Sequence, residues 1–425
     1  MSIPRSERTI LFLLGAVQFI NVLDFMMVMP LGPDFAQDLG IDPSKLGIIG
    51  GTYTASAAVA GIAGSFFLDR FDRRPALALA MLGLAMATLA GALAWDLPSL
   101  LAARVAAGIF GGPASALSMS IIADVVPPER RGRAVGAVMA AFSIASILGV
   151  PMGLELARLA TWRMPFIAVG LASLVVTGAA TWLMPSLRGH IAARAAYAAE
   201  GVRPWYEFVN KPSAQLMLLA TALAMFANFS VIPNLAAYVQ FNLGYPREHL
   251  GTLYLVGGLL SFVAMRVAGP LVDRFGSPAV SVIGSGGLAI VLTLAFFDMP
   301  FLVPVVPIFS GFMLVNSFRF VAMNTLASKV PGPAERARFM SAQSATSHMA
   351  SACGAMLSST LLTTSASGAL IGMPRVALQS ICLTLTLPPL LYIVDRLVRA
   401  EQRARAELPT VAATAIVDAE PAEAG

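Results

Sequence analysis

A chain of 425 residues that is 57% hydrophobic and only 12% charged is not built for water. Soluble domains carry roughly 25% charged residues, so these proportions, with a mean hydropathy of +0.77, exclude a water-soluble enzyme or binding module. The net charge of +5 then poses a question of membrane sidedness, not of nucleic-acid binding.

Twelve apolar runs follow one another, at residues 9–31, 46–68, 75–95, 99–122, 134–156, 164–184, 212–238, 249–271, 278–297, 302–327, 340–363 and 376–398. Each has about the 20 residues that cross ~30 Å of hydrocarbon as a helix. They are continuous rather than alternating, which favours helices over a barrel. The first run is too long for the apolar core of a cleavable leader and is read as a span. The expected architecture is an all-α integral membrane protein of twelve transmembrane helices in two pseudo-symmetric six-helix bundles. The bundles occupy residues 1–184 and 212–398, joined by a middle loop at 185–211 and followed by a disordered tail at 399–425.

Span one carries Gln18, Asn21 and Asp24. Between spans two and three, GSFFLDRFDRRP (64–75) sets Asp69, Arg70, Asp72, Arg73 and Arg74 in a connection that neither flank could hold in lipid. Span four contains Arg104 and runs out through ADVVPPERRGRAVG, with Asp124 and Arg131. The middle loop is basic and carries Trp205, Tyr206 and Phe208, which suits either an amphipathic helix on the membrane face or a plain linker. In span seven Asn228 and Asn234 flank Pro233 and Tyr238 follows, a segment weakened by the proline and expected to line a cavity. GPLVDRFGSP (269–278) is a partial second copy of the charged connection, with Asp273 and Arg274. Glu155 is placed at the outer interface, and Arg266 and Arg319 within snorkelling reach of the inner one. His348 and the cysteines Cys353 and Cys382 are read as buried packing residues.

Along alternating connections, 20 of the 28 Lys and Arg residues fall on the side of the N-terminus, five on the other and three inside spans. Such a bias places both termini and the middle loop in the cytoplasm, in an inner cell membrane. The intramembrane acid is the main chemical signal, because a carboxylate in hydrocarbon must be paired or protonated. At 1.5 Å per residue Asp24 lies about 22 Å from the N-terminal face. Arg104, on a span running the other way, reaches the same depth. The two can pair, either as a site that exchanges a proton when the cavity opens or as a fixed link between spans one and four. No G-x-x-x-x-G-K-[ST] occurs, so ATP is not the expected energy source. No His/Cys/Asp cluster has metal spacing, and no cofactor is expected.

Twelve spans with a D-R-x-G-R-[KR]-type connection between spans two and three, partly repeated between eight and nine, resemble the major facilitator superfamily. Arg104, Gly108 and Gly112 resemble the family's span-four pattern, and Asp124, Pro127, Arg131 and Gly132 its following loop. LGVPMG, with Gly149, Pro151 and Gly153, is similar to the drug- and arabinose-efflux branch, although Val150 and Leu154 depart from its antiporter pattern. Asp72 stands where the family has Gly. The resemblance implies a secondary transporter of a small solute; the protein is expected to be a monomer, and the depth and pairing of Asp24 and Arg104 make them the expected proton-coupling residues. Export of an amphiphilic or sugar-like compound is the first reading; uptake, facilitated diffusion or a transport-inactive receptor are alternatives. Gln18, Asn21, Asn228, Asn234 and Tyr238 would line the cavity. Asp69, Arg70, Arg73, Arg74, Asp124, Arg131, Asp273 and Arg274 would form a cytoplasmic gate.

Overall fold

Amide groups inside hydrocarbon can be satisfied only along their own helix, and the apolar runs fold accordingly. The computed structural model describes residues 5–187, 210–297, 304–331 and 336–417. The first half comprises α1 (Arg5–Val28), the short α2 (Gly32–Asp38), α3 (Leu46–Phe67), α4 (Arg73–Ala92) and α5 (Leu97–Val125). Its fifth crossing is α6 (Pro128–Ile144), a π-helical turn (Ala145–Gly149) and α7 (Val150–Leu159); its sixth is α8 (Arg163–Leu183). The second half repeats the plan with α9 (Pro212–Ala237), α10 (Leu250–Phe275), α11 (Ser277–Phe296), α12 (Val305–Ala327) and α13 (Arg336–Leu361). The last crossing joins α14 (Met373–Leu385) to α15 (Leu387–Val417). Before it, β1 (Thr363–Thr364) pairs antiparallel with β2 (Leu370–Ile371).

Eleven helical stretches among the described residues are long and apolar enough to cross a membrane. The twelfth, α13, is a continuous 26-residue helix but is rich in Ser, Thr and Ala, with Gln343 and His348. It packs against α3 of the first half and α9 of its own, so little of it needs to match lipid. Large apolar side chains such as Leu79, Val175, Trp182, Ile283 and Ile290 are exposed on the outward faces of the other spans, where hydrocarbon is the solvent. Inside the bundle, small residues let backbones approach. A Cβ on Gly108 would lie 2.4 Å from the Tyr53 carbonyl oxygen, and one on Gly112 equally close to that of Ala57.

Two expectations are corrected. The tail is not disordered from residue 399: helix α15 continues to Val417, because its Ala, Arg, Glu and Leu are strong helix formers. The cysteines are not buried: Cys353 and Cys382 are exposed, on spans whose exposed faces need only be apolar. Trp205, Tyr206 and Phe208 lie outside the described residues, as does most of the middle loop.

The halves close on each other at the face opposite the N-terminus. There Gly47 and Gly51 of α3 lie against α13: a Cβ on Gly47 would sit 2.4 Å from the Ala355 carbonyl oxygen and 2.6 Å from Ser359 Oγ. Arg247, before α10, grips Asp34 on α2 with both ends of its fork: Nε donates to Oδ1 at 2.9 Å and Nη2 to Oδ2 at 2.8 Å. The Thr364 hydroxyl donates to the Asp42 carboxylate and accepts from the Ser44 amide. Toward the N-terminal (basic) face, Met340, Ser341 and Ser344 of α13 are exposed, while Ser351, Ala352, Ala355, Ser358 and Ser359 further along are buried. The space between the halves therefore opens to the basic face.

Candidate functional site

Asp24 is completely buried and Arg104 is 1% exposed. Neither charge could stay in that position alone, and the two meet as a bidentate pair. Arg104 Nη1 donates to Asp24 Oδ1 at 3.2 Å and Nη2 to Oδ2 at 3.0 Å. Nη2 also reaches the Asp24 carbonyl oxygen at 3.4 Å. Thr88 of α4 adds a hydroxyl donor to Oδ1 at 2.7 Å. The Tyr53 ring lies 4.7 Å from the guanidinium carbon, spreading a negative π-face under the cation. Four spans thus converge on one ion pair. Low local dielectric strengthens such a pair once formed and makes separation of its members expensive, about 3–5 kcal/mol when one partner of a buried pair is lost.

The contact between Asp24 and Arg104 was legible in the sequence, but Thr88 and Tyr53 were not. Both are neutral, and only three-dimensional convergence marks them. The other polar residues of span one are spent on structure. Asn21 Nδ2 donates to the Gly111 carbonyl at 2.6 Å, and its Oδ1 accepts from Tyr53 Oη at 2.8 Å. Gln18 Oε1 accepts from Ser115 Oγ at 3.3 Å. These bonds tie α1 to α3 and α5, so Gln18 and Asn21 are corrected from cavity wall to helix seam.

The same correction applies in part to span seven. Asn234 is completely buried and its Nδ2 donates to Ser230 O and Ser358 Oγ, fastening α9 to α13. Tyr238 donates to the Ala295 carbonyl at 3.1 Å and stacks edge-on with Phe296 in an apolar crevice of the second half. Asn228 is partly exposed, as is Tyr238, and Asn228 accepts at 2.9 Å from Nη2 of Arg319. Arg319 does not snorkel: it is 3% exposed and points among helices. Arg266 is exposed over the Phe262 ring. Glu155 is exposed and pairs with Arg158 one turn on.

At the basic face, Arg73 is buried and its Nε donates to Asp124 Oδ2 at 3.1 Å, linking the start of α4 to the end of α5 within one half. Asp72 caps α4, accepting from the Arg74 amide at 3.0 Å, and also accepts from the Leu187 amide at 3.0 Å beyond α8. Arg70 is exposed. The side chains of Asp69 and Arg131 lie outside the described set. In the second half Asp273 is exposed and has no ion pair among the described residues, and Arg274 lies over the Phe275 ring.

Two six-helix halves, a space between them open to one side, and a buried acid–base pair in one half define a secondary transporter of the alternating-access type. The chain belongs to the Major Facilitator Superfamily, whose family model matches residues 14–355; it is a transporter and not an enzyme. It is 28% identical to a chloramphenicol resistance protein of Streptomyces lividans over 275 residues, covering 64% of this chain and 69% of the relative. It is 26% identical over 380 residues to MdtD of Cronobacter sakazakii, a protein named for multidrug resistance, covering 76% of this chain and 79% of that one. Among solved structures, a bacterial homologue of the human lysosomal transporter Spinster, inward-facing and occupied, superimposes with a TM-score of 0.71 at 15% identity, covering 93% of this chain and 98% of that one. A D-xylose–proton symporter gives 0.68 at 18% identity, with 91% and 96% covered. At these identities the solved structures speak to the fold alone.

Proposed function

We propose that this protein exports a small amphiphilic solute across the inner cell membrane as a monomer, with both termini in the cytoplasm, driven by the proton gradient. The single observation that carries the coupling is the Asp24–Arg104 pair, fully dehydrated and bidentate in the middle of the first half. Protonating Asp24 removes the charge that holds Arg104, and separating the pair without a proton is costly. Proton uptake and rearrangement of α1 against α5 are therefore linked in one step. Opening and closing of the central space then alternates the side from which the proton and the solute arrive. The Arg73–Asp124 pair keeps the basic end of the first half rigid, so that it swings as a body. Asp69, Arg70, Arg74, Arg131, Asp273 and Arg274 contribute to closure of that end in the opposite state. Export is supported by the resistance-type names of the two relatives and by the Lys/Arg bias that makes the open side cytoplasmic.

The test is flux in liposomes under an imposed pH gradient, comparing wild type with Asp24→Asn over a panel of amphiphilic compounds. Wild type accumulates solute against its gradient. Asp24→Asn retains downhill exchange and loses the response to pH. Equal gradient-driven flux by both would remove Asp24 from the coupling step, and indifference of both to the gradient would end the proton-coupled reading.

A further inference from the structure

Arg104 has a carboxylate of its own, but Arg319 has none among the described residues. Arg319 lies about 21 Å along α12 from its start, well inside the membrane, and is 3% exposed. Its Nη1 donates to Thr384 Oγ1 at 2.9 Å, and its Nη2 to Asn228 Oδ1 at 2.9 Å and Asn316 Oδ1 at 2.7 Å. All three acceptors are neutral, and no carboxylate pairs with Arg319 among the described residues. A buried cation served only by dipoles is poorly compensated. Asn316, by turning its Oδ1 to Arg319, leaves its own Nδ2 buried and without a hydrogen-bond partner. The cluster therefore offers a guanidinium and an amide donor, with no negative charge to answer them.

The cluster also borders the central space. Asn228 and Asn316 are partly exposed. Phe229, beside Asn228, approaches Phe25 of α1, and Phe320, one turn from Asn316, stacks on Phe142 of α6. Both asparagines thus sit on the parts of α9 and α12 that look across to the other half. Arg319 stands just behind them.

We propose that Arg319, Asn228 and Asn316 form the solute site of the second half, and that it takes one singly charged acidic group such as a carboxylate. The transported solute is then an organic anion or a zwitterion, not a neutral or purely cationic compound. This deepens the export reading and rests on it for transport, but not for binding. An incoming carboxylate meets the planar fork of Arg319 in the geometry that guanidinium groups favour. It takes over the acceptor role of the two asparagine oxygens, frees those amides to turn their NH₂ groups toward the same ligand, and neutralises the buried cation.

Two measurements on purified protein in neutral detergent, with no gradient, test this. In a Cys353→Ser/Cys382→Ser background, Asn316→Cys is modified with an anionic sulfonate and a cationic trimethylammonium methanethiosulfonate. The anionic reagent should gain about tenfold over the free-solution ratio, as expected for a unit charge a few ångströms away in a partly dehydrated site. That gain should vanish with Arg319→Gln and persist with Arg319→Lys. A ratio unchanged by Arg319→Gln, with the Gln variant eluting as folded protein, would overturn the proposal. In the second measurement, a set of aromatic and aliphatic carboxylates and their primary amides are compared for thermal stabilisation of the native-cysteine protein. Acids should stabilise wild type while their amides do not, and Arg319→Gln should erase the difference. Stabilisation by acid and amide alike, or by no acid in the set, counts against an anion site. Acid binding without gradient-driven flux keeps this site and removes proton coupling; gradient-driven flux of neutral solutes alone does the reverse.

Discussion

Asp72 occupies the slot that Gly276 fills in the repeated connection, and the two residues solve the same problem differently. Each is the N-cap of the helix that follows. Gly276 does it with φ +87°, a conformation that side chains rarely adopt. Asp72 has an ordinary φ of −57° and caps with its carboxylate, which also holds Leu187 at the end of the first half. The family glycine is thus replaced by a hydrogen-bonding cap that fastens span three to span six. Asp72→Ala should lower stability by about 1 kcal/mol, Asp72→Asn by much less, and Asp72→Gly by an intermediate amount. Thermal or denaturant unfolding in detergent checks the order; an Asn variant as damaged as the Ala variant would mean that charge, not capping, is what Asp72 supplies. The same scale shows what a sequence exposes. Asp24 and Arg104 were legible as a pair because only pairing tolerates two opposite charges at one depth of hydrocarbon. Arg319 was misplaced because counting residues gives depth along a helix but not the face on which a side chain lies. Thr88 and Tyr53 carry no charge to betray them.

Among the elements, α13 best explains how twelve spans could be read where only eleven are apolar enough by composition among the described residues. The two-half pattern and the alternation of basic connections required a crossing there. Its own residues signalled the reason only indirectly: a helix wedged between α3 and α9, with one end on the central space, is not selected for lipid. Its tight fit to α3 depends on glycine. A side chain at Gly47 would meet the Ala355 carbonyl and the hydroxyls of Ser358 and Ser359; backbone cannot yield as a flexible side chain can. Gly47→Val should therefore pry the α3–α13 seam apart and shift the resting population toward the state open at the face opposite the N-terminus. The loss of close packing is on the order of 1–3 kcal/mol, enough to change a two-state population severalfold to more than a hundredfold. Modification of a cysteine placed at Ser359 by a membrane-impermeant reagent from that face should accelerate. An unchanged rate would show that the seam is not what closes the face. The tail was misread for a different reason. Its composition resembles a solvated linker, but Ala, Glu, Arg and Leu continue a helix once a membrane span has nucleated it.

For the molecule as a whole, the closed face is latched by Asp34 and Arg247, one from each half. The side chains are 19% and 21% exposed, so the pair is partly dehydrated. Burial pushes the Asp34 carboxyl above the ordinary carboxylate range, and the hydrogen bonds and charge of Arg247 offset only part of that rise. When the face opens, Asp34 is rehydrated and returns toward ~3.9. The closed state therefore binds a proton more tightly than the open one. By linkage, lowering the pH through the raised value toward the ordinary one favours closure, and raising it favours opening. The latch thus owes its value to fit rather than to net attraction, which dictates the outcome of mutation. Arg247→Gln leaves a dehydrated carboxylate with no counter-charge and should favour opening by about 1–2 kcal/mol, well under the 3–5 kcal/mol of a fully buried pair because solvent still reaches both groups. Asp34→Asn/Arg247→Gln removes the stranded charge, so the double variant should close again and lose the pH response in this range. Spin labels at the exposed positions Gln37 and Ala366, in a background without the native cysteines, report the separation of the two halves at that face. A longer distance in the single variant and a wild-type distance in the double variant is the expected pattern. A double variant as open as the single one would mean that the halves are held by the charge pair itself, and that the α3–α13 seam contributes little to closure.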